Sequence, residues 1–268
     1  MHEILSNVSA SDFVLDLGSA QGSFDEKATS GKAIRLDREV SDSARGALVV
    51  RADAALLPFG DDVFRAVISN HSLEHFDNLE RAIVEMGRVV DPNGALYVSV
   101  PDASTITDQF YRWLARGGGH VNAFVSPGEL IRRIETVTGM RHVATRTLCS
   151  SMAFLNRNTA TTRRPRRLLF FGGGAEWSLR MYTWFSRRFD LVFRTRLSVY
   201  GWAFYFGNIP GPISTSTRLN VCIRCGSATA AETLRALGLV SYRMGMFECF
   251  RCPACATVNP FIADRDMG

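Results

Sequence analysis

Lysine is almost missing from this chain. Of its 31 basic residues only Lys27 and Lys32 are lysine, and the other 29 are arginine. A GC-rich genome gives the same bias, so the choice of arginine over lysine carries little meaning. Long apolar runs are missing as well. No stretch reaches the roughly 18 residues needed to span a bilayer, and no N-terminal segment joins positive charge to an apolar core, which argues against a secretory signal. Neither an internal repeat nor a low-complexity tract is present. What remains is an ordinary globular composition, 46% hydrophobic and 21% charged over 268 residues. That is enough chain for one large domain and a small one, and a cytoplasmic location is expected.

A third absence is more specific. Residues 13–22, Phe-Val-Leu-Asp-Leu-Gly-Ser-Ala-Gln-Gly, read as a buried parallel strand that breaks into a glycine turn. The dinucleotide fingerprint G-x-G-x-x-G would place a middle glycine against a pyrophosphate. Here Gly18 and Gly22 are spaced G-x-x-x-G, with Ala20 between them and Asp16 two residues before Gly18. A carboxylate beside the turn repels pyrophosphate and suits a cationic ligand. Nineteen residues after Gly18, a second apolar run, Ala33-Ile34-Arg35-Leu36, ends on Asp37. An acid at that distance is where doubly wound folds hold the hydroxyls of a ribose. The pair points to a nucleoside that carries positive charge.

Strands are predicted at 13–17, 33–37, 47–51, 65–69, 95–100 and 141–148, alternating with helices, so the fold class is α/β with a mostly parallel sheet. Leu79, Ala82, Ile83 and Met86 recur at helical spacing, with Arg81, Glu85 and Arg88 assigned to the opposite, polar face. Asp77 or Asn78 caps this helix, and Asp91-Pro92-Asn93-Gly94 stops it. Ser126-Pro127-Gly128-Glu129 reads as a capping box for a helix that ends near Gly139.

With these elements in order, the chain resembles the class I S-adenosylmethionine-dependent methyltransferases, most closely their type-11 branch. The similarity runs from the Asp16–Gly22 turn through Val50-Arg51-Ala52-Asp53, Leu57-Pro58-Phe59 and Val67–Phe76. It continues through Glu85–Gly94 and the strand from Ala95 to Val100. The resemblance covers about residues 12–150 and implies a Rossmann-like doubly wound sheet binding S-adenosylmethionine. By resemblance, Asp16, Gly18, Ser19 and Gly22 hold the methionine moiety and Asp37 the ribose. Asp53 accepts from the adenine amine, Ala54 offers its backbone N–H, and Asn70 lies where the methyl group faces its acceptor. His71 and His120 are the candidate general bases, with His75 a third histidine nearby. Three departures from the family pattern stand out. Only about 12 residues precede the first strand, so N-terminal covering helices are not expected. The helix after Gly22 is short. The last strand is displaced to about 197–206.

Cys222-x-x-Cys225 and Cys252-x-x-Cys255 form two knuckles separated by 26 residues. Four such thiolates suit one structural zinc in a ribbon-like tail. Cys249-x-x-Cys252 is an equally spaced alternative. Residues 157–196 carry ten arginines against Glu176 and Asp190. Within them Trp177, Met181, Trp184 and Phe185 fall at helical spacing, with Arg180, Arg187 and Arg188 interspersed.

The expected organisation is a cofactor-binding core at 1–156, a helical insertion at 157–196, a final core strand at 197–210 and a zinc-ribbon tail at 211–268. The expected activity is methyl transfer to a small, glycan or lipid-linked acceptor, with a peripheral membrane contact through 163–194. Two alternatives stand beside it: an RNA methyltransferase that uses the arginines and the ribbon, and a non-catalytic zinc-stabilised scaffold.

Overall fold

In this computed structural model the described residues are 1–19, 22–39, 48–114, 119–156, 158, 174–209, 215–243 and 247–263. The chain divides into two compact units. The first comprises Met1–Asp102, Gly119–Thr145 and Trp202–Ile213, and the second Ala103–Gly118, Arg146–Gly201 and Ser214–Gly268.

The first unit opens with a single helical turn, α1 (His2–Leu5), and then builds a sheet from β1 (Phe13–Leu17), β2 (Lys32–Asp37), β3 (Leu48–Arg51), β4 (Phe64–Asn70) and β5 (Val90–Pro101). β1 pairs in parallel with β2 and β4, β2 with β3, and β4 with β5. Helices α2 (Leu79–Val89) and α4 (Pro127–Thr138) belong to this unit, while α3 (Ile106–Leu114) belongs to the second. β6 (His142–Cys149) and β7 (Val199–Gly207) complete the strand order β3-β2-β1-β4-β5-β7-β6. Because β1 and β4 wind outward in opposite directions, the crevice at their C-terminal ends is the switch point where such sheets bind ligands. Among the described residues between β1 and β2 the one helical turn is a three-residue 3-10 turn, Glu26–Ala28. This is the shortened connection that the sequence implies.

Local signals set the element ends. Asn78, rather than Asp77, caps α2 by accepting from Arg81 N–H at 3.1 Å. Ser126 caps α4 with Pro127 in the first turn, and Gly139 closes it in the left-handed region at φ 71°. The predicted stop at Asp91–Gly94 is a bulge at the start of β5: Val90 pairs with Phe64, and the ladder resumes at Ala95 opposite Ala66.

One periodicity reading is corrected. Glu85, assigned to the polar face of α2, is 2% exposed. Its carboxylate accepts from Leu57 N–H at 2.9 Å and from Arg88 at 2.8 and 3.0 Å. Arg88 also donates to the carbonyls of Leu57 and Phe59 and to Asp61. The pair stitches the loop before β4 to α2, a long-range partnership that helical spacing does not encode.

In the second unit α5 (Glu176–Phe193) joins the later parts of the chain, β8 (Arg218–Val221), β9 (Ala228–Ala230), α6 (Ala231–Ala236) and the hairpins β10 (Val240–Arg243), β11 (Phe247–Arg251) and β12 (Val258–Pro260). β8 pairs in parallel with the end of β6, at Thr147–Arg218 and Leu148–Leu219, and antiparallel with β9. The tail therefore extends a sheet as well as forming its own, β10-β11-β12. α5 docks on it through arginine. The buried Arg187 donates to the Pro260 carbonyl at 2.6 Å and to Asn220 at 3.2 Å, and Arg180 donates to the Val258 carbonyl at 2.8 Å. Arg180 and Arg187 thus hold the tail. The exposed row of α5 is Trp177, Met181, Phe185, Arg188 and Val192, with Trp184 only half exposed. Of the expected insertion at 157–196, residues 157 and 159–173 lie outside the described residues.

Candidate functional site

The end of β1 is buried completely: Val14, Leu15, Asp16 and Leu17 are each 0% exposed. Beyond it the backbone turns through Gly18 at φ 67°, and the N–H groups of Gly18 and Ser19 donate to the Leu36 carbonyl at 2.8 and 3.1 Å. Gly22 N–H donates to the Ser19 carbonyl at 2.6 Å. A Cβ on Gly18 would stand 2.5 Å from Ser72 Cβ, so glycine lets the β1 turn approach the end of β4. Ser72 Oγ secures that approach by donating to the Leu17 carbonyl at 3.0 Å. At Gly22, φ 106°, the atoms that would meet a Cβ belong to the Arg35 guanidinium. The close neighbour there is a side chain of β2.

Asp16 accepts from Ser23 N–H at 2.8 Å through one carboxylate oxygen, while the other is buried without a hydrogen-bond partner among the described residues. Burial pushes this carboxyl above the ordinary carboxylate value, against the lowering effect of the Ser23 hydrogen bonds and Arg35. An orphaned carboxylate oxygen at a switch point fits a ligand that brings a cationic N–H donor. Asp37 ends β2, half-buried, and accepts from Glu39 N–H at 3.1 Å.

Asp53 is engaged differently from the role that resemblance gives it. One oxygen accepts from Ala55 N–H at 2.8 Å and the other from Arg38 at 2.6 Å, and Arg38 continues to Asp77 at 2.5 Å. The Ala55 N–H and the guanidinium hold the Asp53 carboxyl below its ordinary value. Ala54, beside it, is buried.

At the end of β4, Asn70 accepts from Ser99 Oγ at 2.7 Å. His71 follows in the left-handed region at φ 54°, a conformation that side chains other than glycine rarely adopt. Its ring lies 3.7 Å from Glu74, which is 1% exposed. His120 packs edge-on against His75 with ring centroids 4.9 Å apart. Glu74 thus lies beside His71 and also beside His75 and His120, neighbours that spacing along the chain does not reveal.

The tail brings Cys222, Cys225, Cys252 and Cys255 together, with all four sulfurs within 4.8 Å of one another. The Cys222–Cys255 and Cys225–Cys252 sulfur distances are both 3.6 Å. Thiolates bound at about 2.3 Å to one tetrahedral zinc stand roughly 3.8 Å apart, close to the spacing of these two pairs. Cys249 lies on β11 opposite Pro260, outside this group.

The two knuckles repeat one geometry. Gly226 N–H donates to the Cys222 carbonyl at 3.1 Å and Ala256 N–H to the Cys252 carbonyl at 2.9 Å, with φ 72° and 57° respectively. Hydrogen bonds from Cys225 and Cys252 pull the Cys222 thiol far below its usual value, while the same contacts push theirs up. Arg224 N–H and the buried Asn259 side chain also point at Cys222 Sγ, at 3.4 and 3.6 Å. Asn259 is a supporting residue that no spacing rule could have identified.

Comparison with known proteins agrees with this architecture. Residues 15–98 match a family described as a methyltransferase domain, Methyltransf_11. A demethylmenaquinone methyltransferase of Mycobacterium tuberculosis is 34% identical over 122 residues, which is 42% of this chain and 52% of that protein. A malonyl-[acyl-carrier protein] O-methyltransferase of Methylococcus capsulatus is 29% identical over 148 residues, 51% of this chain and 54% of that protein. The chain thus spans about half the length of the curated relatives it matches. Among solved structures, a SAM-dependent methyltransferase from Archaeoglobus fulgidus superposes with a TM-score of 0.52 at 17% identity, covering 76% of this chain and 87% of that one, which shows a shared fold. Together with the β3-β2-β1-β4-β5-β7-β6 strand order, these matches show what the chain is similar to: residues 15–98 match the Methyltransf_11 methyltransferase domain, and the sheet shares the fold of a solved SAM-dependent methyltransferase.

Proposed function

We propose that this protein transfers the methyl group of S-adenosylmethionine to a small, glycan or lipid-linked acceptor and carries a structural zinc in its tail. The observation that bears most weight is Asp16, a fully buried carboxylate with one oxygen unclaimed by the described residues, at the crevice between β1 and β4. A cofactor ammonium group supplies the donor and the positive charge that this oxygen calls for. In this reading the Gly18–Ser19–Gly22 turn holds the methionine moiety and Asp37 takes the ribose hydroxyls. Ala54 and Asn70 complete the proposed contacts. Asp53 would take the adenine amine in competition with Arg38, so binding there requires the guanidinium to yield an acceptor oxygen.

When bound, the sulfonium supplies an already activated methyl group, and the protein's task is to align the acceptor and receive its proton. His71 and His120 remain the proposed bases. His71 follows β4 with a left-handed backbone, its ring 3.7 Å from Glu74.

Support for the acceptor class comes from two sides. The relatives' names specify demethylmenaquinone and a malonyl group on a carrier protein. The exposed row Trp177, Met181, Phe185 and Val192, with Arg188 among them, suits a membrane interface with anionic lipid. No helix among the described residues is long and apolar enough to cross a bilayer, so the proposed contact is peripheral, at the inner face of the membrane. The RNA reading draws less support, because Arg180 and Arg187 are spent on backbone carbonyls of the tail. The proposed organisation is a core at 1–156, an insertion at 157–196, the final core strand at 197–210 and the zinc-bearing tail at 211–268.

The test is calorimetric titration of S-adenosylhomocysteine into wild type and Asp37→Ala. Binding to wild type that weakens on the order of tenfold or more in the variant supports the assignment. No binding to a folded, zinc-loaded wild type would replace this reading with that of a scaffold on a methyltransferase fold. Flotation with anionic vesicles, lost in Trp177→Ala/Phe185→Ala, tests the membrane contact.

A further inference from the structure

The end of β4 holds a second group of metal-ligating chemistry, separate from the cysteines. Glu74, His75 and His120 each present one ligand atom, and the three atoms lie within 4.8 Å of one another. Two come from the 3-10 turn Leu73–His75 and the third from the loop that precedes α4. That loop is sewn onto the turn. Val121 and Asn122 N–H groups donate to the Glu74 carbonyl at 2.8 and 3.0 Å, and the Asn122 side chain donates to the carbonyls of Leu73 and Phe76 at 2.9 and 2.7 Å. The backbone carrying the three side chains is therefore fixed.

The orientation of His75 follows from its partner. Nδ1 lies 3.0 Å from the Gly119 carbonyl. A carbonyl oxygen only accepts, so Nδ1 carries the hydrogen and the neutral ring keeps its lone pair on Nε2. An imidazole oriented through Nδ1–H to a backbone carbonyl is the usual outer support of a metal-binding histidine. Glu74 is 1% exposed, with the His71 ring 3.7 Å from one of its oxygens, and positive charge beside a carboxylate so deep is favourable. His75 is exposed and His120 partly so, which leaves an entry path for an ion from solvent.

We propose that Glu74, His75 and His120 form a site for a zinc-class divalent cation, whose open position faces the acceptor end of the methyltransferase crevice. Two imidazoles, one carboxylate and a vacant fourth position make the donor set of catalytic rather than structural zinc. The set contains no thiolate, so its chemistry is distinct from that of the tail. Ligand atoms now up to 4.8 Å apart must close to roughly 3.4 Å around an ion bound at about 2.1 Å, within reach of side-chain rotation alone.

Its role rests on the methyltransferase reading. A hydroxyl acceptor bound at the open position becomes more acidic and gives its proton to water. Its oxygen lone pair then forms the new C–O bond, while the electrons of the broken C–S bond stay on sulfur as S-adenosylhomocysteine. In this arrangement His120 serves as a ligand in place of its role as a base, and no side-chain base is needed.

The experiment uses the full chain with zinc already in the tail, titrated with cobalt(II) and followed by absorption and calorimetry. We expect one further equivalent with ligand-field bands and no thiolate charge-transfer band. Its affinity should fall at least about tenfold in both His120→Ala and the isosteric Glu74→Gln. No additional equivalent, or one insensitive to both substitutions, overturns the site. If His120→Ala fails to fold, Glu74→Gln alone decides. A parallel titration with S-adenosylhomocysteine separates the two ideas: cobalt bound in this manner without cofactor-product binding refutes the methyltransferase reading and leaves the metal site standing.

Discussion

Gly18→Ala tests the geometry on which the cofactor site depends. Two costs combine at this position. The backbone sits at φ 67°, where a Cβ meets the following carbonyl at a cost of roughly 1–2 kcal/mol. The new methyl would also stand 2.5 Å from Ser72 Cβ and 3.0 Å from Ser72 Oγ. Ser72 cannot retreat freely, because it is 3% exposed and its hydroxyl bonds the Leu17 carbonyl and Ser69 Oγ at 3.0 and 2.5 Å. Overpacking of this kind typically costs about 1–3 kcal/mol. A central expectation of about 3 kcal/mol lowers Tm by roughly 6–12 °C, and S-adenosylhomocysteine binding should fall with it. The double variant Gly18→Ala/Ser72→Gly removes the clash and leaves the backbone strain, so a thermodynamic cycle should show favourable coupling of at least about 1 kcal/mol. Thermal and urea unfolding of the four proteins measures both quantities. A single variant within about 0.5 kcal/mol of wild type, or strict additivity in the cycle, refutes the close-approach argument.

Three further outcomes are expected. Asp16→Asn keeps the Ser23 bond but removes a buried charge. Because burial raises the folded pKa above 3.8, the carboxylate costs stability as pH rises through the folded value, so above that value the variant's apoprotein should melt higher than wild type. Its affinity for S-adenosylhomocysteine should nevertheless drop roughly tenfold or more, and unchanged affinity would remove Asp16 from the site. Glu85→Ala strands the buried Leu57 N–H and takes one of several partners from Arg88, and should cost about 1–3 kcal/mol by urea unfolding; a cost below about 0.5 kcal/mol would show that the pair is replaceable. Chelation of the metal proposed for the tail should raise hydrogen exchange in β11 and β12 while sparing β1 and β4. Exchange unaffected by metal removal would mean that the four cysteines need no ion.

Much of this protein was legible without its fold, because much of it is local. The β1 run and its turn, the Ser126 cap with Pro127, the αL stop at Gly139 and the two cysteine knuckles each depend on residues within a few positions of one another. Order and spacing of such segments were enough to read an α/β fold, to find the resemblance to methyltransferases, and to pick out the four cysteines that the structure brings together.

What the sequence left open are partnerships between distant residues. Helical period put Glu85 outside, and a loop's free N–H with an arginine brought it in. Composition made Arg180 and Arg187 candidates for lipid or phosphate, and the carbonyls of β12 and its neighbours claimed them instead. Arg38 occupies the oxygen of Asp53 intended for adenine. Two equally spaced knuckles competed for Cys252 until the register of β11 placed Cys249 elsewhere. Glu74, His75 and His120 become neighbours only because a loop folds back on the end of β4. Spacing along the chain fixes what a segment is, since backbone geometry acts over a turn or a strand. Which charges meet in the interior is decided by packing, where a buried polar group takes whichever partner the topology delivers.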